Sequence, residues 1–397
     1  SINFRAGVVA LIALASACAT PQRLPAVPPE LTTHAQPAVA NARYWADGDL
    51  QLLTDEALSA YRREQAWRAR AGQTGSLPPQ AFLALSGGGD NGAFGAGLLA
   101  GWTASGARPE FKLVTGISTG ALIAPFAFLG PAYDTTLRAA YTEVRSSDIF
   151  EARPFYSALF ADAMADTAPM SRMIERYVTP DLLRAIAAEY DKGRLLLIGT
   201  TDLDARRPVI WNMTAIAASS SPGAIRLFRQ IILASASIPG AFPPVMIDVS
   251  VNGQAYQEMH VDGGASAQVF VYPPRLHFGE MSAAESADRQ RTLYVINNAR
   301  MDPAWASVDR RTMSIAGRAV SSLIQTQGAG NIYQIYNTAS RDGIDFNLAF
   351  IPSDFSTPHT EDFDQAYMRS LFQHAFDLAR HGYPWRKEPP NLVTAAR

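Results

Sequence analysis

Phe111 to Gly120 reads FKLVTGISTG and runs directly into ALIAPFAFL, Ala121 to Leu129. A β-favouring apolar run, two glycines bracketing a serine, and a long apolar stretch describe a strand, a sharp turn and a helix. The same grammar occurs upstream. Ala81 to Leu85 (AFLAL) enters Gly87-Gly88-Gly89-Asp90-Asn91-Gly92, and small residues with helical spacing follow as far as Trp102. Leu195 to Gly199 (LLLIG) and Thr292 to Ile296 (TLYVI) read as further buried strands. Strands alternating with helices predict an α/β fold, a three-layer α/β/α sandwich around a mostly parallel central sheet. One hairpin interrupts the alternation. Val245–Val251 and Gln254–Val261 flank Asn252-Gly253, a dipeptide suited to a two-residue type I′ turn, and the second arm delivers the chain to Asp262.

With 397 residues and 48% hydrophobic content the chain has ample material for a large core. Its 34 basic and 36 acidic residues leave a net charge of -2, so no cationic excess is available for nucleic acid phosphates, and a nucleic-acid partner is not expected. The C-terminal third shows a helical pattern from about Pro303 to Arg341 broken near Gly328 and Gly330. The strand DFNLAFIP and a last helix from about Phe363 to His381 complete it. No linker-like composition separates these elements from the rest, so residues 79–386 are expected to form one domain, with 387–397 a tail.

The first residues, SINFRAGVVALIALASAC, carry one basic residue, an apolar run from Gly7 to Leu14 and small residues before Cys18, the layout of a secretory signal over residues 1–17. The apolar run is about half the ~20 residues a membrane-spanning helix needs. Cys18 is the only cysteine, so no disulfide forms within the chain. Leu14-Ala15-Ser16-Ala17-Cys18 resembles a bacterial lipobox, with Ala15 where Leu is usual, and this implies lipidation of Cys18. Ala19, in place of an aspartate that would retain a lipoprotein at the inner membrane, then points to the bacterial outer membrane, facing the periplasm. Residues 18–78 are expected to form the anchor, a Pro/Ala-rich tether (PQRLPAVPPE, HAQPAVA) and a short helix around Leu58 to Trp67.

Three motifs carry chemistry. In Gly116-Ile117-Ser118-Thr119-Gly120 the glycines allow a sharp strand-to-helix turn that exposes the Ser118 hydroxyl, although an ordinary helix-capping serine occupies the same location. Backbone N–H groups of Gly87, Gly88 and Gly89 at a helix start suit a developing oxyanion. The same loop also fits G-x-G-x-x-G, a dinucleotide loop, but the acidic residue at the required spacing, Glu110, precedes its strand instead of ending it. Asp262, in His260-Val261-Asp262-Gly263-Gly264, is either a base facing a nucleophile on a neighbouring strand end or a turn aspartate capping its own backbone. The six histidines are scattered with none in H-E-x-x-H, so neither a metal nor an organic cofactor is expected. Ile149, Phe150, Phe155, Tyr156, Leu159 and Phe160 form an aromatic segment suited to a mobile apolar cap or, equally, to a core helix.

SGGGDNGAFGAG, GISTG, ASASIPGAFPPV (Ala234 to Val245) and VDGG (Val261 to Gly264), in that order, resemble the patatin-like phospholipase family, as does TTDLDARRPVIWN from Thr200 to Asn212. YMRSLFQHAFDLARHGYPW, from Tyr367 to Trp385, resembles its bacterial members. The resemblance implies a serine acyl hydrolase that cleaves fatty-acyl esters, phospholipids or others, without a cofactor. It makes Ser118 the nucleophile, Asp262 its base, and Gly87, Gly88 and Gly89 the oxyanion hole. Asn91 departs from the Arg or Lys usual in the family, which bears on phospholipid preference. Two alternatives stand beside it: an α/β-hydrolase esterase using Ser118 with an acid and a late histidine, His359, His374 or His381, and a non-catalytic envelope lipoprotein that binds lipid. If Cys18 is the anchor, Cys18→Ser shifts the protein from the membrane to the soluble fraction. Unchanged fractionation would place the anchor elsewhere.

Overall fold

The computed structural model describes residues 22–48, 50–152, 163–278, 289–303, 305 and 307–390. The signal segment, Cys18, the tail from 391 onward, and Phe155, Tyr156, Leu159 and Phe160 of the expected cap lie outside the described residues. The strands are β1 (Arg43–Trp45), β2 (Gln80–Leu85), β3 (Phe111–Gly116), β4 (Glu151–Ala152), β5 (Ala165–Asp166), β6 (Leu195–Asp202), β7 (Arg207–Asn212), β8 (Val245–Val251), β9 (Gln254–Asp262), β10 (Arg291–Asn297) and β11 (Asp345–Phe350). β4 and β5 pair only with each other. The others form one sheet in the order β1-β7-β6-β3-β2-β10-β11, with β8 joined through β9, which itself pairs with β6. The five strands from β6 to β11 are mutually parallel, and β7, β9, β8 and β1 attach antiparallel.

Both faces of the parallel centre are covered, which is why its strands read as unbroken apolar runs instead of alternating ones. Leu83, Leu85 and Val114 point into one core with the helices Gly92–Ala104 and Thr119–Leu129. Phe82, Ala84 and Leu113 point into the other, under Ile332, Ile335 and Ala339 of the helix Thr312–Arg341. The sheet is thus the middle of the three layers its sequence pattern implies.

Two strands share one edge of β6. β3 pairs with its first half, placing Gly116 opposite Ile198. β9 runs the other way and pairs with its second half, placing Asp262 opposite Thr200. The end of β3 and the end of β9 therefore meet head to head, two register positions or about 7 Å apart along β6. The hairpin that brings β9 in turns at Asn252 and Gly253 with positive φ of 51° and 80°, the conformation a type I′ turn requires.

Two sequence expectations are corrected. The Pro/Ala-rich stretch is no free tether from Arg23 onward: Val27, Ala35, Val39 and Ala42 are buried in the core, Gln36 bridges to Ser250, and β1 pairs with β7. Pro29 opens a short 3-10 helix, Pro29–His34, in a segment laid on the domain, and its small apolar side chains are what the domain covers. The glycines at 328 and 330 do not break the Thr312–Arg341 helix, which runs 30 residues. A glycine there weakens a helix by about 1 kcal/mol, too little to interrupt one pinned by buried side chains further along.

The helix Gly92–Ala104 packs so closely on the last helix, Gln365–Arg380, that a Cβ at Gly97 or Gly101 would lie 2.2 Å from the carbonyl oxygen of Phe372 or Phe376. Gly330, also helical, has nothing within 4 Å of a modest Cβ. Gly101→Ala is expected to destabilise the fold by about 1–3 kcal/mol through overpacking, whereas Gly330→Ala stabilises by about 0.5–1 kcal/mol. Chemical denaturation of both variants checks the contrast, and two shifts of the same sign would contradict the packing described.

Candidate active site

Ser118 sits between the end of β3 and the helix Thr119–Leu129 with φ 55° and ψ -124°, a conformation L-residues avoid at a cost of about 1–3 kcal/mol. The turn is made possible by its flanking glycines. A Cβ on Gly116 would lie 2.4 Å from the Gly120 carbonyl oxygen, and one on Gly120 would lie 2.3 Å from that of Leu85. The strained residue is held by a buried relay: the Ser118 N–H donates to Ser235 Oγ at 3.0 Å, and Ser235 Oγ donates to the Gly199 carbonyl at 2.7 Å. Ser235 is fully buried and sits at the end of the helix Ala224–Ser235. It lies in ASASIPGAFPPV, the stretch that marks the family, yet nothing local in the sequence distinguishes a backbone clamp from a small core residue.

Asp262 ends β9, and its carboxyl lies close enough to the Ser118 side chain for the serine to act on its ionisation. Its Oδ1 accepts the Gly264 N–H at 2.7 Å, and its own N–H donates to the Ser237 carbonyl at 2.9 Å. The Gly264 bond is what the turn-aspartate reading describes, and the same side chain lies beside the serine. Burial lifts the Asp262 carboxyl from an ordinary 3.8 to about 7, against the lowering effects of the nearby Ser118 and of the Gly264 N–H.

The glycine loop needs one correction. Gly87 N–H donates to the Gln268 carbonyl at 2.9 Å and so is not an oxyanion donor. Its missing side chain matters instead, because a Cβ there would stand 3.2 Å from Ser118 Cβ. Gly88 and Gly89 have positive φ, 154° and 59°, and among the described residues their N–H groups meet no acceptor. Gly88 is pressed against Asn298, whose carbonyl oxygen a Cβ would approach to 2.2 Å. Asn298 in turn donates its N–H to Ser86 Oγ at 2.7 Å and accepts Gly95 N–H at 3.0 Å. Asp90 accepts from His359 Nε2 at 2.6 Å and from Phe363 N–H at 2.9 Å, and Asn91 Oδ1 accepts from the Tyr367 hydroxyl at 2.6 Å. Asn91, which departs from the family's cation, is thus a latch to the last helix.

The histidines are engaged elsewhere. His359 holds Asp90, His381 Nδ1 faces the Asp377 carbonyl at 2.8 Å, and His374 packs on Phe355 with Asp354 at 3.9 Å. His260 shares a strand face with Asp262 and is fully buried, but its ring nitrogens meet Thr200 Oγ1 at 3.0 Å and Glu258 Oε2 at 3.1 Å. Glu258 is paired with Arg43 on β1. Asp202, Glu258 and His260 lie within 4.8 Å of one another, donor types a metal accepts. Arg43 already supplies the positive charge there.

An apolar cavity of about 850 Å³, counted to its open mouth, leads away from Ser118. Leu122, Phe126, Met173, Ile174, Ile232 and Phe242 are among its walls, and Gly89, Ser118 and Thr119 lie at its polar end. Ile149 is buried in its lining, and Phe150 packs on Phe242 and Phe363, so the described start of the aromatic segment belongs to the cavity wall. The site thus joins a serine with a buried carboxyl beside it, backbone donors without an acceptor among the described residues, and an apolar cavity, a set suited to ester chemistry on an aliphatic acyl group.

A raised carboxyl has a consequence for stability. With its folded value near 7 and its unfolded value near 3.8, Asp262 keeps a proton in the fold that the unfolded chain releases, so its contribution is complete below about pH 4 and is lost as pH rises through 7. Asp262→Asn removes that loss. The variant is expected to gain stability over the parent at pH 8, on the order of 4 kcal/mol at most, and nearly nothing at pH 4. Melting temperatures across that range check it. A variant less stable than the parent at pH 8 would mean that the carboxylate is well solvated.

The chain is similar to the crystal structure of VipD from Legionella pneumophila, at 11% identity over 77% of this chain and 67% of that one with a TM-score of 0.37. No curated protein matches it. The model of the patatin-like phospholipase family matches residues 83–274, a stretch that contains the glycine loop, Ser118, Ser235 and Asp262, and residues 83–274 are accordingly a patatin-like phospholipase domain.

Proposed function

We propose that the protein is a serine acyl hydrolase that cleaves fatty-acyl esters through Ser118 and Asp262 and a covalent acyl-enzyme. One observation carries the reading: β3 and β9 end against each other on β6, setting Ser118 at its strained turn beside the buried carboxyl of Asp262, which burial raises toward neutrality. Ser118 Oγ attacks the ester carbonyl while Asp262 takes its proton. The oxyanion forms against the N–H groups of Gly88 and Gly89, with the Thr119 N–H at the start of its helix as a further donor. The acyl chain lies in the apolar cavity. Collapse of the tetrahedral intermediate returns the proton to the leaving alcohol, and water then attacks the acyl-serine with Asp262 again as base.

The location of the histidines favours this reading over an esterase triad, since His359, His374 and His381 each face a group other than Ser118. Anchoring at a lipidated Cys18 would hold the enzyme beside its substrate, and we include it in the proposal with the outer membrane as its site.

A fluorophosphonate probe is expected to label the protein but not Ser118→Ala, which separates the enzyme from a lipid-binding lipoprotein. On a soluble short-chain ester Ser118→Ala has no covalent route, and Asp262→Asn loses about 10²–10⁴-fold in kcat. The rate of the parent rises with pH through a midpoint near 7 as Asp262 ionises. His374→Ala and His381→Ala stay within a few-fold. His359→Ala lowers kcat by loosening Asp90 but leaves the midpoint in place. A late histidine as indispensable as Ser118, with loss of that midpoint, would replace the dyad by a triad.

A further inference from the structure

The helix Thr312–Arg341 has two unlike halves. From Gly328 toward Arg341 it lies on the sheet, and Ile332, Ile335 and Ala339 are buried. From Ala319 to Thr326 every side chain is exposed. The change occurs at the catalytic rim. Gln327 donates to the Ser266 carbonyl at 2.8 Å and faces Gln268 Nε2 at 3.1 Å, while Gln268 Nε2 also holds the Gly264 carbonyl at 2.9 Å beside Asp262. Gln325, on the polar side, still donates to the Asp302 carbonyl at 3.0 Å, and from there to its first residue the outer half is roughly 20 Å long at about 1.5 Å per residue.

This projecting half is amphipathic. At about 100° per residue, Ile315, Val320, Leu323 and Ile324 fall in one half of the circumference, and Ser314, Arg318, Ser321 and Gln325 in the other. The apolar members are 54%, 54%, 70% and 44% exposed, and Trp305, just before the helix, is 89% exposed. An exposed apolar stripe of this length marks a surface meant for something other than water. Its charge says what. Arg310 and Arg311 stand at the helix start, followed by Arg318, and from Arg310 to Arg341 the sequence has no aspartate or glutamate. Two arginines at the positive end of a helix dipole oppose the helix, so their position is not explained by its stability. A second copy of the same face would bring these cations together, whereas anionic headgroups above an apolar interior match both features.

We propose that the outer half of this helix is a membrane-docking arm that seats Ile315, Val320, Leu323 and Ile324 in the acyl boundary of an anionic phospholipid bilayer, with Arg310 and Arg311 at headgroup level. The proposal rests on the acyl-hydrolase reading for its purpose, since the arm stands on the rim where a membrane-borne ester must enter. Its binding test is independent of turnover.

The experiment uses the full chain carrying Cys18→Ser, so that no lipid anchor contributes, and Ser118→Ala, so that no lipid is consumed. It is sedimented with phosphatidylcholine vesicles with and without phosphatidylglycerol. Val320→Asp/Leu323→Asp is expected to reduce partition onto the mixed vesicles at least tenfold. Arg310→Glu/Arg311→Glu is expected to reduce it to the level seen without phosphatidylglycerol. With Ser118 restored, both pairs keep the parent's rate on a soluble ester and lose rate on the vesicles. Unchanged partition and an unchanged ratio of vesicle to soluble rates overturn the proposal. So does a parent dimer that Val320→Asp/Leu323→Asp converts to monomer with vesicle partition intact, which would make the face a contact between copies. If the parent turns over no soluble ester, the hydrolase reading fails while the partition result still decides the docking arm.

Discussion

A single edge of β6 holds both halves of the site. β3 occupies its first half as far as the pair Gly116–Ile198, and β9 occupies its second half, arriving from the opposite direction, as far as Asp262–Thr200. Neither strand alone leaves a functional group anywhere useful. Because the two end against each other, the residue two beyond Gly116 and the last residue of β9 point into one space. Sheet hydrogen bonds fix the separation, so the serine and the carboxylate inherit a backbone-defined geometry and need no flexible side chain to find each other. The Ser235 clamp between Ser118 N–H and the Gly199 carbonyl adds a third tie to the same strand. A register slip of one residue in β9 would turn Asp262 to the other face, away from the serine.

The same strand shows why only one of its acids is poised to take a proton near neutrality. Glu258 and Asp262 are both buried, and burial alone raises both. For Glu258 the hydrogen bond from His260 and the charge of Arg43 outweigh burial and hold the carboxyl below its usual range. Asp262 has no cation among its partners, only Ser118 and the Gly264 N–H, and burial wins. The ion pair between Arg43 and Glu258 also explains the N-terminal segment. A buried carboxylate on the strand that carries Asp262 needs a counter-charge, and β1 supplies it from a part of the chain that composition alone describes as a tether.

How far the sequence could be read follows from what each feature depends on. The strand–turn–helix at Ser118, the glycine loop and the Asn252-Gly253 hairpin depend on local backbone conformation, and all three were legible as glycines at the positions where the chain bends. The parallel sheet was legible because strands buried on both faces are apolar throughout. The engagement of Gly87 was not, since its N–H is taken by the Gln268 carbonyl, a partner 181 positions away that no local pattern announces. His260 shares a face with Asp262 by strand periodicity, but periodicity does not say that Thr200 and Glu258 claim its ring. The same limit hid the binding of the Pro/Ala-rich stretch, whose composition is that of a flexible segment and whose small side chains fit a groove only the folded domain provides.

The stretch that matches the family ends at residue 274, but the site does not. β10 and β11 complete the sheet beside β2, and the loop after β10 presents Asn298, whose backbone carbonyl leaves no room for any side chain at Gly88. His359, Phe363 and Tyr367 fasten Asp90 and Asn91 from the last segment, and Phe363 and Met368 also line the apolar cavity. The close contact of Gly97 and Gly101 with the final helix sets the distance at which those fasteners can reach. Residues 83–274 thus carry Ser118 and Asp262, while the geometry of the glycine loop is imposed by residues from 298 to 367. Altering that packing moves the loop without touching Ser118 or Asp262, so in the proposed reaction the rate is coupled to helix contacts remote in sequence from both.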